Sequence, residues 1–350
     1  MDSIILKKIK DIDINDIFFD SLKSSYIGFE DWFKKKSEKG ETAFIFEDEG
    51  IQGFLYLKEE CEADNTITPS FEAKRRLKVG TFKINAHGTK LGERFIKIII
   101  DKMFKENYEE AYVTIFEVHE SLIMLLKKYG FEYYGKKTSD SGVENVYIKN
   151  RSKRSGDINK DYPVIDLKDN NKYLLSIYPK YHTRMFPDSK LTTEKEHIIE
   201  DISVTNSIEK IYLSAAYGLE KCKSGDVIVI YRTAEYGKKA IFSSVATSIC
   251  VIKEVKNINS FRSFNEFRDY CIKYSVFEED ELRNFWETKK YPHLIKFLYN
   301  IAFEKRPTRE KLINEVGIDE SIRWTLVKLD NTQFKKIIEL GQVTDNFIND

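Results

Sequence analysis

The sequence predicts an α+β or α/β chain in two domains. A mixed sheet with flanking helices is expected over residues 1–150, a linker over 151–161, and a small β-barrel domain with peripheral helices over 162–350. Three observations lead there. Strand-like and helix-like periods alternate through the first half. Arg151-Ser152-Lys153-Arg154-Ser155-Gly156-Asp157 is polar, charged and without apolar periodicity, as a linker would be. The second half then has many β-rich runs and few helical ones.

Asp16–Ser25 and Phe29–Ser37 read as helices, the second with Trp32 and Phe33 on one face and Lys34–Lys36 on a solvated one. Thr42–Phe46 and Gln52–Leu57 are β-rich and joined by Glu47-Asp48-Glu49-Gly50, a hairpin signal. Arg76–Asn85 is a further strand, Gly92–Asn107 a helix, Ala111–Val118 a strand, and Ser121–Tyr129 a helix stopped by Gly130. Tyr133–Lys136 and Val143–Lys149 close the half as a hairpin around Ser139-Asp140-Ser141-Gly142.

In the second half, strands are predicted at Tyr173–Tyr178, Ile208–Ser214, Val227–Arg232, Phe242–Glu254, Lys296–Ile301 and Trp324–Lys328. Helices are predicted at Ser263–Tyr274, Asp280–Lys289 and Asn331–Leu340. No internal repeat or low-complexity tract interrupts either half.

Composition narrows the class. With 41% apolar and 13% aromatic residues the chain has enough to fill two cores. The 57 basic and 57 acidic side chains cancel, so bulk charge draws the chain to neither nucleic acid nor membrane. Cys61, Cys222, Cys250 and Cys271 lack C-x-x-C spacing, which argues against a zinc site or disulfide framework and for reduced thiols in a cytosol. No apolar run reaches the roughly 20 residues that cross a bilayer, and the N-terminus lacks a signal-peptide core. A cytoplasmic protein without a metal is expected.

The most specific stretch is the strand ending near Asn85, then Ala86-His87-Gly88-Thr89-Lys90-Leu91-Gly92-Glu93, then a long helix, and later Tyr129-Gly130-Phe131. A glycine-bearing turn that opens a helix makes an anion site, because the first-turn N–H groups and the helix dipole both favour a phosphate. This order resembles the GCN5-related N-acetyltransferases (GNAT) over about residues 1–150. The family loop Gln/Arg-x-x-Gly-x-Gly/Ala is met by His87-Gly88-Thr89-Lys90-Leu91-Gly92, where the last glycine matches and two positions depart. Lys90 in place of glycine brings positive charge, and His87 does so when protonated.

The resemblance implies an acetyl-CoA site made by His87, Gly88, Thr89, Lys90, Leu91 and Gly92, with Phe82 and Ile84 on the preceding strand pairing with the pantetheine arm. Direct attack of an amine on the thioester needs a base, an acid for the thiolate and donors for the oxyanion. The tyrosine that many members place four residues before the closing Gly-Phe is Leu126 here, so Tyr129 is the substitute acid. His119 stands where an asparagine is frequent, and Glu117, two residues earlier on the same strand face, is a base or orienting partner. Tyr26, Ile27, Phe29 and Trp32 fall in the helix–helix loop that shapes the acceptor pocket, with Tyr26 and Phe29 the expected substrate contacts.

Residues 162–340 resemble the PUA-like group that includes ASCH and EVE domains, on Lys210-Ile211-Tyr212-Leu213-Ser214, Lys223-Ser224-Gly225-Asp226-Val227-Ile228 and Tyr231-Arg232-Thr233. That resemblance implies RNA or modified-base binding. Tyr178–Pro187 interleaves aromatic and basic residues, so Lys180, Tyr181, His182, Arg184 and Arg232 are the expected nucleic-acid contacts. Together the two resemblances imply an acetyl-CoA-dependent N-acetyltransferase whose second domain recruits the acceptor. An RNA-borne amine such as that of aminoacyl-tRNA is the sharpest version, and such enzymes include toxins, which brings an antitoxin partner into view. The rivals are a protein lysine or N-terminal acetyltransferase and a non-catalytic acyl-CoA sensor that binds nucleic acid.

Overall fold

Alternating periods in the first half build one eight-stranded sheet. In the computed structural model, which describes residues 4–85, 90–186 and 207–349, the chain divides into Met1–Asp161 and Tyr162–Asp350. The elements of the first unit are β1 (Ile5–Lys8), α1 (Asp20–Ser25), α2 (Phe29–Glu38), β2 (Thr42–Glu47), β3 (Ile51–Glu60), β4 (Ile67–Thr68), β5 (Arg76–Ile84), α3 (Leu91–Lys105), β6 (Glu110–Ile115), α4 (Glu120–Lys128), β7 (Glu132–Ser139) and β8 (Gly142–Asn150). The strands lie in the order β1-β2-β3-β5-β6-β8-β7-β4. Only β5 and β6 among them run parallel, and α3 supplies the crossover that a parallel pair requires.

Successive β3 residues show the two faces. Phe95 of α3 seats against Gly53, while the next residue, Phe54, packs on Phe19 at 5.4 Å between ring centroids and on Phe33 at 6.4 Å. On α3, Phe95, Ile96, Ile99, Ile100 and Met103 are all fully buried, the spacing of a helix stripe on a sheet. Each such side chain contributes about 2 kcal/mol of burial.

At the end of α4, Gly130 takes φ +84°, and Phe131 N–H returns to the Leu126 carbonyl at 3.1 Å. Residues 151–161 group with the first unit. Asp161 accepts from the N–H groups of Ser155 and Gly156, both at 2.8 Å, and Lys149 Nζ donates to the carbonyls of Tyr129 at 2.9 Å and Lys160 at 2.7 Å. Aspartate-built turns, which need no apolar period, order this polar stretch.

The second unit comprises β9 (Ile165–Asp166), β10 (Lys172–Ile177), α5 (Pro179–Met185), β11 (Glu209–Ser214), β12 (Val227–Arg232), α6 (Ala240–Ser243), β13 (Val245–Asn257), α7 (Phe264–Ile272), α8 (Glu279–Thr288), β14 (His293–Ala302), α9 (Arg309–Asn314), β15 (Leu326–Leu329), α10 (Asn331–Gly341) and β16 (Ile348–Asn349). Six strands form a mixed sheet in the order β11-β14-β13-β12-β10-β15, and among the described residues no ladder joins its two edges. The central strand β12, Val-Ile-Val-Ile-Tyr-Arg, is buried at every position, as a strand covered on both faces should be. Two differences from the sequence expectation stand out. The Tyr178–Pro187 loop is helix α5, started by Pro179 at its first position, and α6 occupies the first residues of the expected Phe242 strand.

Burial inside α5 has a thermodynamic consequence. His182 is fully buried, its Nε2 is 2.8 Å from Thr247 Oγ1, and its Nδ1 has no hydrogen-bond partner. Desolvation, then the charges of Arg232 and Arg306, push its imidazole down to about 3.

Two outcomes are expected. A Cβ at Gly135 would stand 2.0 Å from the Thr68 carbonyl oxygen, so Gly135→Ala must part β4 from β7 and should cost about 3 kcal/mol in urea unfolding. Because the unfolded chain binds a proton at His182 between pH 6.5 and about 3 where the native chain does not, stability of the second unit is full above pH 6.5. It is lost as pH falls through that window, by at most about 5 kcal/mol. His182→Phe should flatten that acid limb, read from urea midpoints at pH 7, 5 and 4.

Candidate active site

The β5–β6 ladder runs from Arg76↔Glu110 to Val79↔Val113 and stops there. β5 continues to Ile84, paired on its other side with β3 up to Gly53↔Ile84, whereas β6 continues to Ile115 paired only with β8. The two parallel strands therefore separate, and the β6-facing edge of residues 80–84 has no ladder partner among the described residues. The parting falls at a bulge, where Tyr56↔Thr81 and Leu57↔Val79 skip Gly80. Gly80 is required by its neighbour, since a Cβ there would lie 2.7 Å from the Tyr56 ring.

The open edge leads toward the start of α3. His87, Gly88 and Thr89 lie outside the described residues. Lys90 is the N-cap of α3 without a side-chain cap bond, and its Nζ, like that of Lys128 at the end of α4, is 3.6 Å from the buried Glu93 carboxylate. Leu91 is buried. Gly92 has a role that sequence reasoning assigned differently. The space of its Cβ is taken by Leu125 Cδ2 at 2.8 Å and Ile84 Cδ1 at 2.9 Å, so it lets α3 begin tight against α4 and β5. Phe82 and Ile84, both half-buried, hold the strand to α3, Phe82 with its ring 5.6 Å from Phe95.

β6 ends at Ile115, so Glu117 and His119 sit in the turn after it and the strand-face relation expected between them does not apply. Both are exposed, and His119 is the N-cap of α4, its N–H bonded to the Phe116 carbonyl at 3.1 Å. Tyr129 is fully buried at the C-cap of α4, its carbonyl held by Lys149. Leu126 is buried one turn earlier.

On the acceptor side the two expected aromatics part company. Phe29 is in the core, stacked on Trp32 at 5.4 Å. Tyr26 instead reaches the parted strands. Its ring is 5.1 Å from that of Phe116, and its hydroxyl donates to Glu144 Oε1 at 3.3 Å. Glu144, on β8, was absent from the sequence-derived set. It falls in phase with the inward Val146 and Ile148, a signal the alternation did carry.

A polar cavity of about 450 Å³ lies at the other end of this sheet, lined among others by Arg76, Glu110, Lys149 and Asn150. Arg76 Nε pairs with Glu110 at 2.8 Å, and burial pushes the Lys149 amine down to about 7. Its charges are largely committed to one another.

In the second unit the expected basic contacts are engaged internally. On α5, Lys180 pairs with Glu281 and Arg184 with Glu278. Tyr181 donates to Glu281 at 3.0 Å and packs on Phe277, so its ring is half-buried. His182 and Arg232 are buried, Arg232 with Glu235 at 2.8 Å. Among the described residues no group of three His, Cys, Asp or Glu could hold a metal ion, and no helix is long and apolar enough to cross a membrane.

No protein-family model and no curated protein matches the chain. Solved structures of two kinds do. The ASCH protein from Zymomonas mobilis is 11% identical, with 48% of this chain and 94% of that chain covered and a TM-score of 0.31. A GNAT-family acetyltransferase from Streptococcus agalactiae is 16% identical, with 37% and 76% covered and a TM-score of 0.28. The IAA acetyltransferase from Bacillus cereus is 10% identical, with 42% and 99% covered and a TM-score of 0.30.

Proposed function

We propose that the first unit transfers an acetyl group from acetyl-CoA to a primary amine. The observation that carries this reading is the parting of β5 from β6 after Val79↔Val113, beside the start of α3. An unpaired strand edge offers N–H and C=O groups to an amide-bearing chain as it would to an added strand. The pantetheine arm is such a chain, and the pyrophosphate beyond it suits the N–H groups of a helix start. Acetyl-CoA supplies a thioester whose carbonyl carbon an amine attacks. Residues Gly80–Ile84 would hold the arm, Lys90 would add positive charge near the phosphates, and His119, exposed at the turn after β6, would take a proton from the amine. Glu117 stands beside it in the same turn. Tyr129 is the remaining candidate to protonate the thiolate, from inside the α4 C-cap.

The finer version, an aminoacyl-tRNA acceptor with a toxin-like role and an antitoxin partner, depends on recruitment by Lys180, Tyr181, His182, Arg184 and Arg232. It draws less support, since Lys180 and Arg184 are ion-paired, Tyr181 is hydrogen-bonded to Glu281, and His182 and Arg232 are buried. A protein or small amine acceptor needs no such surface.

Gly92→Trp is expected to weaken CoA binding at least thirtyfold by calorimetry, by lifting the start of α3 from Ile84 and Leu125, in a protein with wild-type circular dichroism. Unchanged affinity in that folded variant would remove the cofactor assignment. Labelled acetyl-CoA incubated with the protein and with separated charged-tRNA and protein or peptide pools should place label in the second pool. Label in the tRNA pool, lost on ester hydrolysis, would restore the RNA acceptor.

A further inference from the structure

Glu144 is the carboxylate in the first unit whose position the fold itself does not account for. It is 6% exposed, and the one hydrogen bond it receives among the described residues comes from the Tyr26 hydroxyl at 3.3 Å, with no cation paired to it. A buried carboxylate without a cation costs several kcal/mol, and one neutral phenol offsets little of that. Elsewhere in this unit the buried or half-buried acids have cations or, like Asp16 and Asp161, two backbone N–H donors. Glu110 has Arg76 and Lys74, Glu60 has Lys58 and Lys78, and Asp64 has Lys137. The Cα partner of Glu144 across the hairpin is Lys137, whose amine is turned to Asp64 at 3.1 Å.

The place matters as much as the charge. Glu144 lies one step past the last β6–β8 pair, Ile115↔Asn145, and so opposite Phe116, where β6 has left β5. The α1–α2 turn is fastened over it, through the Tyr26–Phe116 ring contact and the Ile27 N–H bonded to Ser141 Oγ at 3.1 Å. Two apolar side chains on the neighbouring turns face solvent: Ile27, next to Tyr26, at 78% exposure and Val118, two residues after Phe116, at 81%. A carboxylate waiting at the base of an apolar rim complements a cation carried on an apolar group.

We propose that Glu144 is the anchor for the ammonium of the acceptor, and that the acceptor is a primary amine bearing an apolar side chain that packs on Ile27 and Val118. The inference rests on the acetyl-transfer reading for its purpose, though the ammonium site can be tested without turnover. The ammonium pairs with Glu144, Tyr26 keeps the carboxylate oriented as a donor, and the acceptor must release a proton before its nitrogen attacks. The same chemistry occurs in a free α-amino amide and at the N-terminus of a peptide.

The test measures equilibrium binding to the full chain by calorimetry, with L-leucinamide, the tripeptide Leu-Gly-Gly, glycinamide and N-acetyl-L-leucinamide as probes, with and without CoA. Leucinamide or the tripeptide should bind, and the tighter of the two identifies the source. Glycinamide should bind at least tenfold more weakly, and the N-acetylated probe, which has no cation, should not bind. Glu144→Gln, nearly isosteric, should lower leucinamide affinity at least tenfold, leave the Kd for CoA within twofold, and keep or raise Tm because a buried charge is gone. Tyr26→Phe should give a smaller loss of the same kind.

Equal leucinamide affinity in Glu144→Gln and wild type, or no binding of any ammonium probe to wild type, overturns the proposal. So does a lowered Tm with unchanged probe binding, which would make Glu144 a structural acceptor for Tyr26. Equal affinity for glycinamide and leucinamide overturns the apolar half, and preferential acetylation of aminoacyl-tRNA irrespective of its amino acid overturns the acceptor class. Glu144-dependent probe binding in a protein that fails to bind CoA would leave the ammonium site standing and remove the acetyl-transfer reading.

Discussion

Everything in the first unit is arranged around one departure from sheet regularity, the loss of pairing between two parallel strands part-way along their length. Hydrogen bonds hold β5 and β6 together over only four residue pairs. Beyond Val79, β5 keeps its partner on one side and has none on the other among the described residues. Backbone polar groups in a half-buried position need partners, so such an edge is costly unless water or a ligand completes it. The Gly80 bulge turns the strand at the parting, α3 starts near its end, and β8 stays with β6 after β5 has left. The open edge is thus a consequence of pairing geometry.

Charge is handled differently at the two ends of that sheet. At the closed end, acids and bases neutralise one another, and the Lys149 amine caps the α4 carbonyl of Tyr129 while fastening residue 160. At the open end, Glu144 is buried against a phenol alone, and burial together with that carboxylate pushes the Tyr26 phenol well above its usual range, so Tyr26 is a donor at physiological pH. In the second unit the ion pairs of Lys180, Arg184 and Arg232 leave the chain with its neutral overall balance locally as well as globally.

Local chemistry made much of this legible in advance. Helix starts at Ser263, Glu278 and Asp330 are capped by their own side chains, with Glu281 and Gln333 answering in capping boxes, and these signals lie within four residues of sequence, whereas the equally local Thr308 cap of α9 went unread. The α3 stripe and the Gly130 stop were equally local. Helix α5 was missed because aromatic and basic residues interleaved after a proline match a loop as well as a short helix. Apolar contacts made by Tyr181, Met185 and Phe186 decide between the two. Glu117 and His119 lost their strand relation because β6 stops at Ile115, a boundary set by β8 rather than by composition.

The sequence by itself determined most of the longer helices and strands, because periodicity, caps and turn residues act over a few positions. Only the tertiary structure decided where β5 leaves β6, that Gly92 makes room for Ile84 and Leu125, that His182 is enclosed, and that Tyr26 meets Glu144 across 118 residues of chain. Those outcomes depend on register and burial, which are set by pairings between distant segments and leave no signature within either one.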